Sequence, residues 1–332
     1  MPASRESIKR KRMEISERRK GQFRKIYELL WFGNSRMHIK DIASELQVDP
    51  RTTSTVIEEA FNLGVVTIPQ IRRRSHKNMM EHVYFIRCKD PLKVYSQYSE
   101  DLNVVYHAVM IGFADLMVIA RKKIDIEGDI LIEGCRSDYH IAYAPNHSWG
   151  NAIQIMREKV ENFSPKEYEP EGIIQTHWNE IIEWDEEDEK LFREFKYDLR
   201  KKFTPIMKKH LISTTKIYQW LERLPETCTV FTRYFPGGAS WYDPFLFMFE
   251  TDYEDFIIDL FSELPTSAYF FKVSDKLFLS GRMLKESLRK VDLDMTNIAQ
   301  LHIPLLVGDL RKKGILKEEA DAIFRYSCTK DL

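Results

Sequence analysis

The residues best equipped for chemistry in this sequence are cations and hydrogen-bond donors, not nucleophiles or paired acids. Arg51, Thr52, Thr53, Ser54 and Thr55 follow an Asp49-Pro50 pair. All five donate hydrogen bonds. Arginine suits the acceptor edge of guanine, and serine or threonine meets bases or phosphates. Farther on, Arg72, Arg73, Arg74 and Lys77 make a basic tip that would reach phosphate or the minor groove. A weaker second set, Thr214, Thr215, Lys216 and Gln219, follows Ser213, with Lys201, Lys202, Lys208 and Lys209 nearby. Signs of catalysis are sparse. The sequence holds no P-loop, GxSxG, HExxH or GxGxxG pattern. Cys88, Cys135, Cys228 and Cys328 lie far apart, and His76, His82, His140 and His147 lack ligand spacing. The Asp185–Glu189 acids suit the start of a helix, where they favour its dipole. These residues predict a binding protein and no enzyme, with no metal and no cofactor.

Charge distribution points the same way. The 332 residues are 43% hydrophobic and 30% charged, with a net charge of −1. Residues 1–80 hold 17 Lys and Arg against 9 Asp and Glu, whereas residues 161–190 hold 11 acids against 2 lysines. A basic head followed by an acidic connector suggests that the head meets a polyanion. No run approaches the ~20 apolar residues of a membrane span, and the polar start is unlike a secretory signal. Scattered cysteines fit reduced thiols. A cytoplasmic location with no membrane partner is expected.

Those donors must be held by particular elements. Phe23, Ile26, Tyr27, Leu30 and Trp31 fall at helical spacing, and Ile39, Ile42, Ala43 and Leu46 make a second, short helix. Asp49 caps a third helix that ends at Gly64. Val65–Ile71 and His82–Arg87 read as two strands around the basic tip. This order is a winged helix-turn-helix, whose second paired helix enters the major groove of double-stranded DNA. An α+β unit follows. Beyond the connector the pattern returns, with helices around Leu191–Leu199, Pro205–His210 and Thr214–Leu224, then further strands and a helix. Two more helices are expected around Thr296–Lys313 and Lys317–Tyr326. The domains are therefore a basic arm (1–20), a winged helix-turn-helix (21–80), an α+β module (81–162), an acidic linker (163–186), a second helix-turn-helix (187–228), a second α+β module (229–290) and C-terminal helices (291–332). The fold class is α+β, duplicated with a period of roughly 160 to 170 residues.

Several of these residues resemble the Lrp/AsnC (feast/famine) family of transcription regulators. Asn103-Val104-Val105-Tyr106 followed by Gly112-Phe113-Ala114-Asp115-Leu116 is similar to the family's strand, Gly-x-x-Asp turn and strand. Asp198-Leu199-Arg200, Ile212-Ser213-Thr214-Thr215 and Trp220-Leu221-Glu222-Arg223-Leu224 resemble its helix-turn-helix. The resemblance implies ferredoxin-like βαββαβ modules, a homodimer, and a small-molecule effector near Gly112 and Asp115. It implies a sequence-specific DNA-binding regulator. It also implies an alternative, because Lrp-like proteins include sirohaem decarboxylases that bind a tetrapyrrole and keep the helix-turn-helix only as structure. For those, His107, His140, Arg121 and Arg136 are the residues to locate.

Overall fold

The computed structural model describes residues 15–284 and 293–330, the side chains of 293–302 excepted. Helices α1 (Glu17–Phe32), α2 (Ile39–Leu46) and α3 (Pro50–Asn62) lead into β1 (Gln70–Arg73) and β2 (His82–Arg87). Then come α4 (Pro91–Glu100), β3 (Val104–Gly112), β4 (Leu116–Ala120), β5 (Asp129–Cys135), β6 (His140–Ile141) and α5 (Trp149–Asn162). The second half runs α6 (Glu186–Phe195), α7 (Phe203–His210), α8 (Thr214–Glu222), a short α9 (Leu224–Thr227), β7 (Cys228–Phe231) and β8 (Tyr242–Glu250). It ends with α10 (Glu254–Phe261), β9 (Tyr269–Val273), β10 (Lys276–Leu284), α11 (Leu293–Lys312) and β11 (Glu318–Thr329).

Local chemistry explains the helix starts. Asp49, Ser148 and Ser213 each accept a backbone N–H three residues on, at 2.9, 3.1 and 3.2 Å. Asp185 and Asp188 form a reciprocal capping box at α6. Ser16 caps α1, so the helix begins inside the expected arm, whose residues up to 14 lie outside the described ones. Each helix trio closes on its own apolar core. One is built on Phe23, Tyr27 and Val56, the other on Leu191, Phe195 and Trp220. Two arginines link the trios reciprocally. Arg36 donates to the Leu199 and Lys201 carbonyls, and Arg200 to those of Ser35 and Met37 at 3.0 and 2.8 Å.

Nine strands form one antiparallel sheet in the order β5-β2-β4-β3-β11-β8-β10-β9-β6. The quartets β5-β2-β4-β3 and β11-β8-β10-β9 share one spatial pattern. The second is a complete βαββαβ unit, and in the first a coil replaces the helix before β5. The sheet curls until its edges approach, because β5 and β6 are consecutive in the chain. Arg136 between them forms a bridge to Val273 on β9. Side chains alternate across the curl. Phe85, Met117, Ile119, Phe271 and Phe278 fill the inside. Tyr84, Ile86, Leu116 and Val118 face out under α4, while Phe249, Leu277 and Leu279 face α5, α10 and α11.

Two expectations fail here. The segment Lys317–Tyr326, read as a helix, is strand β11 at the centre of the sheet, paired with both β3 and β8. Its Glu- and Ala-rich composition favours a helix, but two unpaired neighbouring strands outweigh that preference. The expected wing hairpin does not form. β1 pairs with β7 from the other half, Arg72 opposite Thr229 and Arg73 opposite Cys228, while β2 joins the large sheet.

Candidate active site

The curled sheet is filled by side chains along most of its length and opens at one end beneath β1 and α6. The cleft there encloses about 160 Å³ and opens to solvent. Its floor is apolar and aromatic, with Tyr106, Met117, Ile119, Leu246, Phe271 and Phe324 projecting from inward positions of five strands. Its rim is cationic. Arg72 and Arg73 come from β1, Arg121 from the end of β4, Arg136 from beyond β5, Arg193 from α6 and Lys196 from just past it. Tyr139, Tyr269 and Phe192 stand between floor and rim.

Two carboxylates sit among the six cations. Arg136 is 1% exposed, and its guanidinium donates to the Glu81 carboxylate at 2.8 and 3.1 Å and to the Arg73 carbonyl at 3.2 Å. Burial is the strongest single influence on Glu81 and would raise its pKa, but the charge and hydrogen bonds of Arg136, joined by the charges of Arg73 and Lys196, together hold the carboxyl below its ordinary range. Glu189 lies behind the rim. It pairs with Arg73, accepts from Arg193 at 2.9 Å and lies 3.8 Å from Arg121. Burial again opposes ionisation there and the arginines overcome it. The rim therefore keeps a surplus of four positive charges. Arg121 feels this surplus: burial and then Arg73 push its pKa down. Aromatic faces brace the cations, with Arg73 4.3 Å above Phe192 and Arg136 4.0 Å above Tyr139. Burial pushes the Tyr139 hydroxyl up to about 12 and raises that of Tyr106 as well, so both stay protonated.

Six cations above an aromatic surface are suited chemically to an anion. Guanidinium forks match carboxylates in pairs. A flat ligand with several carboxylates satisfies both floor and rim. Among the described residues the lining has no His or Cys, so its contacts to such a ligand would be to the periphery and faces.

The expected site residues are redistributed. Arg72 and Arg73 line the cleft instead of tipping a wing, and Arg74 pairs with Asp138 at 3.1 Å. Only Lys77 of that run is exposed. On α3, Arg51, Thr52 and Thr55 are exposed and Ser54 is half-buried, but Thr53 is fully buried and cannot touch DNA. Thr214, Thr215 and Gln219 are exposed, whereas Lys216 is bound to Asp185 and Asp188 at 2.7 and 2.8 Å. Gly112 and Asp115 shape the β3–β4 turn: Asp115 accepts the Cys88 N–H at 2.9 Å, and neither lines the cleft. Of the four residues named for the tetrapyrrole alternative, Arg121 and Arg136 reach the cleft. His107 is buried with its Nε2 3.1 Å from Ser99, and His140 packs near Phe270. Sequence reasoning missed Phe192, Arg193 and Lys196. Their one signal was two cations three residues apart on an otherwise core-facing helix.

The same architecture exists in known proteins. The sequence matches no family model and no curated protein. Among solved structures it resembles the siroheme decarboxylase NirDL with a TM-score of 0.50 and 12% identity, over 93% of this chain and 92% of that one. A second structure, NirDL in co-complex with an iron-uroporphyrin III analogue, gives 0.49 at the same identity and coverage. The likeness establishes a shared fold. It also corrects the expectation of no enzyme: the solved structure that this chain resembles is of a decarboxylase. No helix among the described residues is long and apolar enough to cross a membrane.

Proposed function

We propose that this protein binds a polycarboxylated tetrapyrrole in the cleft beneath β1 and α6 and removes carbon dioxide from one of its side chains. The observation that carries this reading is the ring of six cations over an aromatic floor, drawn from both halves of the chain. The rim holds the carboxylates that stay. The floor receives the macrocycle face and desolvates the carboxylate that leaves, favouring a transition state in which its charge disperses into the ring. The broken C–C bond leaves its electron pair on the side-chain carbon and the conjugated ring, carbon dioxide departs, and a proton completes the methyl group. Tyr139, half-buried and protonated beside Arg136, is positioned as the donor. The helix trios serve as scaffolds for β1 and α6, and the matching strand quartets and reciprocal Arg36 and Arg200 contacts support two copies of one unit in the chain.

The test is an absorbance titration of the full chain with iron uroporphyrin III, with mass spectrometry for loss of carbon dioxide. Wild type should bind it and shorten its side chains. Arg121→Gln and Arg193→Gln, both near the surface, should each weaken binding about tenfold, the size of one charge-assisted hydrogen bond. Tyr139→Phe should bind normally and react about a hundredfold more slowly. Equal affinity in wild type and both arginine variants, or tight binding of duplex DNA with none of the porphyrin, would overturn the reading.

A further inference from the structure

A second cluster, outside the cleft, has the makings of a metal site. His76 follows β1, and His177 lies in the acidic connector. A parallel bridge pairs the two residues, and their rings stack with centroids 4.8 Å apart. Glu180 completes the group. His76, His177 and Glu180 each offer a ligand atom, and the three atoms lie within 4.8 Å of one another.

The hydrogen bonds dictate which nitrogens are free. His76 is 3% exposed, and its Nε2 lies 3.0 Å from the Glu226 carbonyl. A carbonyl only accepts, so Nε2 carries the proton and Nδ1 keeps its lone pair. That Nδ1 is buried and has no hydrogen-bond partner among the described residues. His177 is stranger still. Its Nε2 lies 3.2 Å from Asp138, and its Nδ1 lies 3.1 Å from Glu180. The Arg74 guanidinium also lies 3.4 Å from that Nε2. With the Nε2 proton given to Asp138, the Nδ1 lone pair faces the Glu180 carboxylate, an arrangement that suits a cation between them. Two ligand atoms on a tetrahedral zinc ion lie about 3.3 Å apart, close to the Nδ1–Glu180 spacing. Asp138 then plays the outer role usual for a metal-bound imidazole, accepting the other ring N–H and fixing the tautomer. Asp138 is itself held by the Ser75 N–H and hydroxyl at 2.6 and 2.9 Å and by Arg74.

Backbone bonds pre-form the surroundings. The Lys77 N–H donates to the Glu180 carbonyl at 2.8 Å, and Asn78 bonds Ile182 in both directions. We propose that His76 Nδ1, His177 Nδ1 and the Glu180 carboxylate bind one divalent cation of the zinc type, with water completing the shell. The ion ties the connector to the strand that carries Arg72 and Arg73. Its role is structural, because it stands apart from the cleft lining.

The test is calorimetric titration of the chelator-treated full chain with Zn²⁺ alone, followed by thermal melts with and without the ion. Wild type should take up one equivalent and melt higher when loaded. His177→Gln should abolish that uptake. Glu180→Gln, at an exposed side chain, should weaken it at least tenfold while the metal-free melting point stays unchanged, so a folding defect cannot mimic the result. Co²⁺ should give the visible bands of a low-symmetry, nitrogen-bound ion in wild type and lose them in His76→Gln. Absence of uptake by wild type, uptake undiminished in the three variants, or a doubly protonated His177 ring by NMR in the presence of Zn²⁺ would overturn the proposal.

Discussion

At the residue scale, burial decides what each ionisable group can do. His107 shows the effect outside the cleft. It is fully buried, one ring nitrogen meets Ser99, and the other has no partner among the described residues. Burial, aided by Lys330, pushes its pKa from 6.5 down to about 4. The unfolded chain therefore takes up a proton below about pH 6.5 that the folded chain refuses until about pH 4. The stability that neutral His107 contributes is full above that window and falls with pH through it, by at most about 1.4 kcal/mol per unit. Urea midpoints measured at pH 7 and pH 5 should differ less in His107→Gln than in wild type. An identical pH dependence in the two proteins would refute this assignment. The cleft cations obey the same rule with the opposite outcome, since Glu81 and Arg136 lose water together and each keeps the other charged.

At the element scale, β11 matters most. It lies between β3 and β8 and turns two quartets into one sheet. Gly112 at the end of β3 accommodates it. This residue sits at φ +151, and a Cβ there would run into the Asp321 carbonyl and come within 2.6 Å of the Ala322 Cα. Backbone, unlike a flexible side chain, has little room to yield. Gly112→Ala should therefore cost on the order of 1–3 kcal/mol. Thermal unfolding would show it, and an unchanged midpoint would mean that β11 can slide. The resemblance singled out this glycine for an effector; its contacts give it a packing role. Five strands were readable from their apolar runs: the sequence predicts strands at 104–110, 116–120, 245–250, 268–273 and 276–279, and β3, β4, β8, β9 and β10 overlap them. β11 was not, because its residues prefer a helix and only the two open edges beside it impose an extended form.

At the scale of the whole molecule, the cleft belongs to neither half alone. Tyr106, Met117 and Arg121 come from the first, Leu246 and Phe271 from the second, and α6 and β1 close over them. One sheet and one shared cleft predict a single cooperative unfolding transition. Iron uroporphyrin III at about 100 times its Kd should add about 2.7 kcal/mol and raise the melting point by several degrees without splitting the transition. Two resolved transitions in calorimetry, with the ligand moving only one of them, would show that the halves unfold separately.

The sequence by itself determined the helix caps, the two helix trios, most strands and the surplus of cations near residue 73, because these follow from neighbours within a few positions. Asp49, Ser148 and Ser213 cap their helices whatever lies across the fold. Tertiary structure alone decided what the cations face. Arg72 and Arg73 looked like a wing because their strand could pair with the next one. It pairs instead with β7, roughly 158 residues on, and that exchange turns them from solvent toward the aromatic floor. It also brings His76 beside His177 and Arg136 beside Glu81. Strand pairing is chosen among distant partners by the whole sheet's burial and hydrogen bonding, a sum that no local run of residues contains.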